Sequence, residues 1–294
     1  MKSSLPTSVQ IPKVLTIAGS DSGGGAGLQA DLKVMTALGA YGMTVVTAIT
    51  AQNTLGVTRI QDVALDIVEA QIDAIFDDIG ADIVKIGMLA SPEIVRTVAT
   101  SLLRHGVEKI VLDPVLRATS GASLGGDDTA AAMIAELFPL ASLITPNLDE
   151  ASLLLGRDIS SAGDFKQAAQ DLLDMGPQAV LIKGGHLDST HTQITDLLMW
   201  RSVEDDLEVI QVKEFRHDRI KTENTHGTGC TLASAIATYL ADGHDLMHAV
   251  GKAISFVEAG LVAGQFLSIG EGPGPLWPMH DFYPTSLPVE NQSS

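Results

Sequence analysis

Cysteine is nearly absent: one thiol in 294 residues leaves an internal disulfide without a partner, and no Cys/His spacing resembles a zinc site. Aromatic residues make up only 4% of the chain, and 18 basic residues face 36 acidic ones, a formal net charge of −18. A field of that sign repels nucleic acid and an anionic membrane face, so neither is expected as a partner, and any bound anion must be held by local donors. Long apolar runs are missing as well. No stretch approaches the roughly 20 apolar residues of a membrane span, and the N-terminal run Val14 to Ala18 is too short for a secretory signal. The expected compartment is the cytoplasm.

What the chain does contain is the composition of an α/β enzyme: 45% hydrophobic residues and 28 glycines. Short β-rich runs (Val14–Ala18, Thr44–Ala48, Asp82–Ile86, Lys109–Asp113, Ser142–Thr145, Ala179–Lys183) alternate with helical patterns. That alternation predicts βαβ units and a largely parallel sheet. Ser91-Pro92-Glu93 reads as a helix start, and Gly106 and Gly176 as helix ends. Residues Thr192 to Phe215 predict two or three less regular strands at a sheet edge, with an acidic turn at Glu204-Asp205-Asp206. A single domain over residues 13–283 is expected, with flexible ends at 1–12 and 284–294.

Each β run is followed by unusual punctuation: GSDSGGGAG (19–27), AQN (51–53), GM (87–88), DPV (113–115), TPNLDE (145–150) and KGGH (183–186). In open α/β sheets ligands bind at the carboxyl rim, so these segments outline one site. GSDSGGGAG lacks the dinucleotide spacing, and reads either as a flexible turn or as a loop whose backbone approaches a ligand, with Asp31 on the following helix. TPNLDEA sets Asn147 and Glu150 where both oxygens suit a hydrated Mg²⁺, or where an Asn N-cap precedes a first-turn acid. KGGH is a surface lysine before a turn, or Lys183 delivered to a phosphate near bare backbone. HGTGC places consecutive amides at a helix start, an anion hole in whose field the Cys230 thiol pKa is expected to fall. The bland reading of Cys230 is a small core residue. The remaining histidines, His105, His191, His217, His244 and His248 among them, read as surface or capping residues.

In chain order TIAGSDSGGGAGLQADLK, TAITAQNTLGV, KIGML, LDPV, TPNLDEA, KGGH and NTHGTGCTLASA closely resemble the hydroxymethylpyrimidine/phosphomethylpyrimidine kinases of thiamine biosynthesis, within the ribokinase-like superfamily. The resemblance runs from Val14 to Phe282. It implies a three-layer α/β/α fold, with a mostly parallel central sheet and helices on both faces. It also implies a kinase using ATP and Mg²⁺ to phosphorylate 4-amino-5-hydroxymethyl-2-methylpyrimidine and then its monophosphate, with a homodimer as the expected assembly. By position Asp31 and Gln52 match the pyrimidine contacts, with Gly19, Met88, Val115 and Cys230 closing the pocket. Asn147 and Glu150 match the magnesium-organising NxxE signature, with Asp113 nearby, and Lys183 matches the lysine that reaches the ATP phosphates. Gly227, Thr228, Gly229 and Cys230 match the anion hole, with Cys230 where most ribokinase-like enzymes carry an aspartate base.

The family's usual lysine is replaced by Thr119, with Arg117 close by, and the C-terminal GEGPGPLWPMH is longer than the usual ending. A pyridoxal kinase of the same subgroup shares the glycine-cysteine turn. Gln52 argues for the aminopyrimidine, because its amide offers both a donor and an acceptor to that ring edge. A non-catalytic nucleotide sensor and a Rossmann oxidoreductase fit less well, the first because Glu150, Lys183 and Cys230 are intact, the second because its fingerprint is missing.

Overall fold

The computed structural model describes residues 10–116, 126–159, 162–185, 192–204 and 206–282. Through them runs one nine-stranded sheet. Its strands are β1 (Lys13–Asp21), β2 (Tyr41–Asn53), β3 (Gly56–Asp62), β4 (Ile83–Ile86), β5 (Ile110–Leu112), β6 (Leu143–Ile144), β7 (Ala179–Ile182), β8 (Gln193–Glu204) and β9 (Leu207–Asp218). They lie in the order β3-β2-β1-β4-β5-β6-β7-β8-β9. From β2 to β7 the pairing is parallel, and β3, β8 and β9 are antiparallel additions at the two edges. The winding reverses between β1 and β4, opening a crevice at their carboxyl ends.

Parallel strands are covered on both faces, and residues along them alternate between two cores. Leu15, Ile17, Val84, Ile86, Val180 and Ile182 pack against α2 (Leu65–Phe76), α3 (Pro92–Arg104), α5 (Leu148–Leu155) and α6 (Ala162–Asp174). Val14, Ile83, Val111, Ala179 and Leu181 pack against α1 (Gly27–Ala37), α7 (Thr228–Ala241) and α8 (Leu246–Gly264). A short α4 (Asp127–Ala132) leads into a π turn over Met133–Leu137. Ser91 caps α3 by accepting from the Ile94 amide, and Gly106 and Gly176 take positive φ after α3 and α6.

Several expectations change. AQN is not a turn: β2 runs on to Asn53 and folds back as a hairpin with β3, whose largely exposed GVTRIQD carries no apolar alternation to announce it. The C-terminal edge is two long strands in unbroken register from Gln193↔Asp218 to Glu204↔Leu207. Pro12 is tied down by the Tyr41 amide, while residues 1–9 and 283–294 lie outside the described residues. Helix α8, 19 residues long, is by length and composition apolar enough to cross a membrane, with mean hydropathy 1.4 over an 18-residue window. Its Ala249, Val250, Ala253 and Phe256 are buried in the core shared with α7, which accounts for that apolarity.

Thr16 and Lys85 fall on the α1/α7 side of the sheet. There Lys85 Nζ contacts both Asp31 oxygens, at 3.0 and 2.9 Å, with both side chains fully buried. Thr16 and Ser234 hydroxyls also donate to that carboxylate, at 2.6 and 2.7 Å. Burial opposes the charge on Lys85, but Asp31 holds its pKa above the ordinary value. Lys85→Met leaves a buried carboxylate without its cation, and is expected to cost about 3–5 kcal/mol in chemical denaturation. A loss below about 1 kcal/mol would mean that the pair is hydrated in solution.

Candidate active site

Two glycine loops meet at the crevice. Asp21, the last residue of β1, accepts from the amides of Gly23, Gly25 and Ala26 at 2.8, 3.1 and 2.8 Å, curling the first loop around its carboxylate. The second loop presses onto it: a Cβ on Gly227 would collide with the Gly25 carbonyl, and one on Gly25 with the His226 ring. Gly227 has φ +80°, which glycine adopts without strain. Neither α1 nor α7 has a side-chain cap at its start, and an uncapped helix start suits an anion. The C-terminal segment straps this arrangement. His226 N–H donates to the Gly274 carbonyl, and the Asn224 side chain bonds Gly264, Leu267 and Gly274. GEGPGPLWPMH therefore belongs to the scaffold of the site.

On one side of the loops lies a small apolar cluster. A Cβ on Gly19 would stand 2.6 Å from Met88 Cε, and Met88 packs with Ala48 against Val57 and Val115. Gly19, Met88 and Val115 are thus brought together as expected. Gln52 is anchored by its backbone to Ser22 of the first loop, and its Nε2 lies 3.5 Å from His226 Nε2. That ring also stands 3.0 Å from Asp21, which despite burial keeps a lowered pKa through His226 and the loop amides. Asp31 is a correction. With no exposed surface and both oxygens engaged, it contacts the underside of the site and not a pyrimidine.

On the other side charges gather. Lys183 Nζ is 3.0 Å from Asp113 Oδ1 and 3.9 Å from Glu150 Oε2, and a Cβ on Gly229 would lie 3.3 Å from that ammonium and 3.6 Å from Asp113 Oδ2. Lysine, carboxylates and helix start therefore share one spot. Burial works against the Lys183 cation, but Asp113 and Glu150 hold its pKa up. Asn147 and Glu150 form a reciprocal capping box: Asn147 Oδ1 accepts the Glu150 amide at 2.9 Å, and Glu150 Oε2 the Asn147 amide at 2.8 Å. This corrects the outward-facing pair read from the spacing, because the Asn147 oxygen is committed to the helix. Among the described residues no group of three or more His, Cys, Asp or Glu side chains forms a metal cluster. Burial pushes the Glu150 carboxyl up to about 7, with Asp113 adding to the rise against Lys183. Two crowded carboxylates of this kind fit a divalent cation bound largely through water.

Cys230 sits in the first turn of α7 with its thiol hydrogen-bonded to the Gly27 amide at the start of α1. The expected fall in its pKa is overturned. Burial pushes the thiol up to about 11; Lys85 and the Gly27 amide pull the other way, while Asp31 and Asp113 add to the rise. The helix field loses to desolvation, and the resting thiol is neutral. Thr119 and Arg117 lie outside the described residues. Sequence reasoning did not single out Asp21, Lys85 or His226, although all three stand inside the quoted motifs.

A family model described as phosphomethylpyrimidine kinase matches residues 21–277. The hydroxymethylpyrimidine/phosphomethylpyrimidine kinase of Rhizobium meliloti (strain 1021) is 47% identical over 270 residues, covering 92% of this chain and 97% of the relative. The crystal structure of phosphomethylpyrimidine kinase from Clostridium difficile 630 superposes with a TM-score of 0.70 at 41% identity, over 85% of this chain and 98% of that one. The Staphylococcus aureus pyridoxal kinase in complex with pyridoxal gives a TM-score of 0.81 at 33% identity, over 93% and 96%.

A thiol with a pKa of about 11 should alkylate slowly at neutral pH, its iodoacetamide rate still climbing at pH values where a free cysteine, half ionised near ~8.5, has levelled off. A plateau below pH 9 would contradict the buried environment. The Glu150 carboxyl, raised from 4.5 to about 7, keeps its proton in the fold where the unfolded chain has lost it. Its stabilising contribution is complete below the unfolded value and is lost as pH rises through about 7. Melting curves across that window should show wild type losing ground to Glu150→Gln, whose amide keeps the cap but cannot ionise; a constant gap would place the ordinary pKa there.

Proposed function

The chain belongs to the phosphomethylpyrimidine kinase family, and from that premise we infer that it transfers phosphate from ATP to 4-amino-5-hydroxymethyl-2-methylpyrimidine and then to the resulting monophosphate, giving the diphosphate for thiamine biosynthesis. One observation carries the assignment of roles. Lys183, Asp113 and Gly229 converge at an uncapped helix start, with a small apolar cluster and Gln52 across the same two loops.

Phosphoryl transfer passes through a loose transition state and needs positioning and charge neutralisation more than covalent help. Lys183 meets the ATP phosphates, and the amides of Gly227, Thr228, Gly229 and Cys230 accept the charge that develops on the transferred group. Glu150 and Asp113 would hold Mg²⁺ through water, while Asn147 aims Glu150; the ion supplies charge neutralisation on the phosphates. Gly19, Met88 and Val115 pack the ring, and Gln52 reads its amino edge. Cys230, neutral at rest, closes the pocket and hydrogen-bonds the attacking oxygen. The proton of the attacking hydroxyl leaves late in a loose transition state and passes to an oxygen of the transferred phosphoryl group, so no stored thiolate is required.

The finer reading includes a cytoplasmic homodimer. Ile49, Leu55, Ile60, Leu65 and Ile67 are exposed along the β2–β3 edge and the start of α2, apolar surface that a second copy would cover. Pyridoxal phosphorylation is the second reading, favoured by the overlay on the Staphylococcus aureus pyridoxal kinase. A coupled ATPase assay with the pyrimidine, its monophosphate and pyridoxal side by side is expected to show turnover with the first two. Turnover with pyridoxal alone would replace the pyrimidine assignment. Gln52→Ala should raise the pyrimidine KM by about 5- to 150-fold, the equivalent of one buried pairing of about 1–3 kcal/mol, and leave the KM for ATP unchanged. Unaltered pyrimidine kinetics would take Gln52 out of the pocket.

A further inference from the structure

Beyond the loops, the turn that follows Lys183 is gripped from two directions. On the β6 side Lys183 N–H donates to the Pro146 carbonyl at 3.0 Å, forming an isolated parallel bridge between Asn147 and Lys183. On the β8 side the Gly184 amide donates to Asp196 Oδ1 at 2.8 Å in a buried hydrogen bond. Arg219 Nη2 donates to the Gly185 carbonyl at 3.0 Å. A Cβ on Gly184 would collide with the Thr195 carbonyl, so the turn lies flush against β8.

Asp196 is 5% exposed and does not stand alone. Its other oxygen lies 3.2 Å from His217 Nε2 on β9, and His217 Nδ1 lies 3.4 Å from Glu258 Oε1 on α8. The hydrogen bond to Asp196 raises the His217 pKa, burial opposes it, and Glu258 and Asp218 reinforce it. A buried carboxylate is costly unless paired, and His217 is the partner that the fold sets against Asp196 on the side away from the Gly184 amide. None of these residues reaches the pocket, and none has a place in the chemistry described above.

We propose that Asp196, held by His217 and Glu258, is a positioning residue that fixes the Gly184-Gly185 turn and thereby aims Lys183 at the nucleotide phosphates. This rests on Lys183 acting on ATP. Misplacement of a catalytic group by a small distance is enough to cost turnover, and the loss should fall on the nucleotide and not on the pyrimidine.

Steady-state kinetics of the full chain test the idea. Asp196→Ala is expected to raise the KM for ATP by about tenfold, the cost of one buried charge-assisted hydrogen bond, with the pyrimidine KM within about twofold of wild type. Asp196→Asn, which keeps an acceptor for Gly184, should recover part of the loss. His217→Gln should give a raised ATP KM that lacks the climb seen in wild type as His217 loses its proton, leaving only the pH dependence that Glu150 imposes on both. In a Lys183→Ala background Asp196→Ala should add nothing further. An ATP KM and pH profile like wild type in Asp196→Ala, with only a lowered Tm, would reduce Asp196 to a structural residue and overturn the proposal. If Asp196→Ala does not fold, Asp196→Asn and His217→Gln decide by the same readouts. If Lys183→Ala itself leaves ATP kinetics unchanged, the assignment of Lys183 falls and the clamp with it; if it alone has an effect, only the clamp falls.

Discussion

Asp31 and Lys85 form the interaction on which the site depends. One carboxylate, without exposed surface, collects a strand β4 ammonium, a β1 hydroxyl and an α7 hydroxyl, and it is itself carried by α1. Both helices whose starts face the ligand are thus pinned to the two strands that flank the reversal in the sheet. Their starts meet at the crevice because their bodies are held at the same buried charge. In so dry a setting each of these hydrogen bonds is stronger than in water, and each is costly to leave unmade.

The central strands were legible because both their faces are covered, so they read as continuous apolar runs flanked by glycine. Strand β3 was not, since most of its residues are exposed and it pairs in the sheet through the hairpin to β2. Lys85 illustrates a signal that was present and not used. A lysine inside DIVKI, in a strand otherwise buried on both faces, has to find an anion somewhere in the core. Asp31 was visible as a residue near the first loop, but sequence distance along α1 does not tell which way its side chain turns.

The candidate site shows the same division. The motifs gave the right neighbours, since Lys183, Asp113, Glu150 and Gly229 do converge, but not how each is occupied. Asn147 could be read as a cap or as an ion contact, and the folded geometry commits its oxygen to the cap while Glu150 keeps its place beside Lys183. For Cys230 the sequence offered two readings, a thiol in a helix field and a small core residue, without showing which prevails. Burial, which depends on the whole surrounding fold, outweighs that field. The Asp196–His217 contact joins residues paired only through the β8–β9 hairpin, and no local pattern announces it.

The backbone contact between Gly25 and Gly227 has a dynamic consequence. The His226 ring adds a second tie, reaching Asp21 of the first loop, and the second loop is itself laced to residues 264–275. Neither loop can swing out alone without parting main chain from main chain. Segments more than two hundred positions apart are thereby joined into one cooperative unit of local unfolding, with amide exchange in the first loop governed by the release of the last described stretch of the chain.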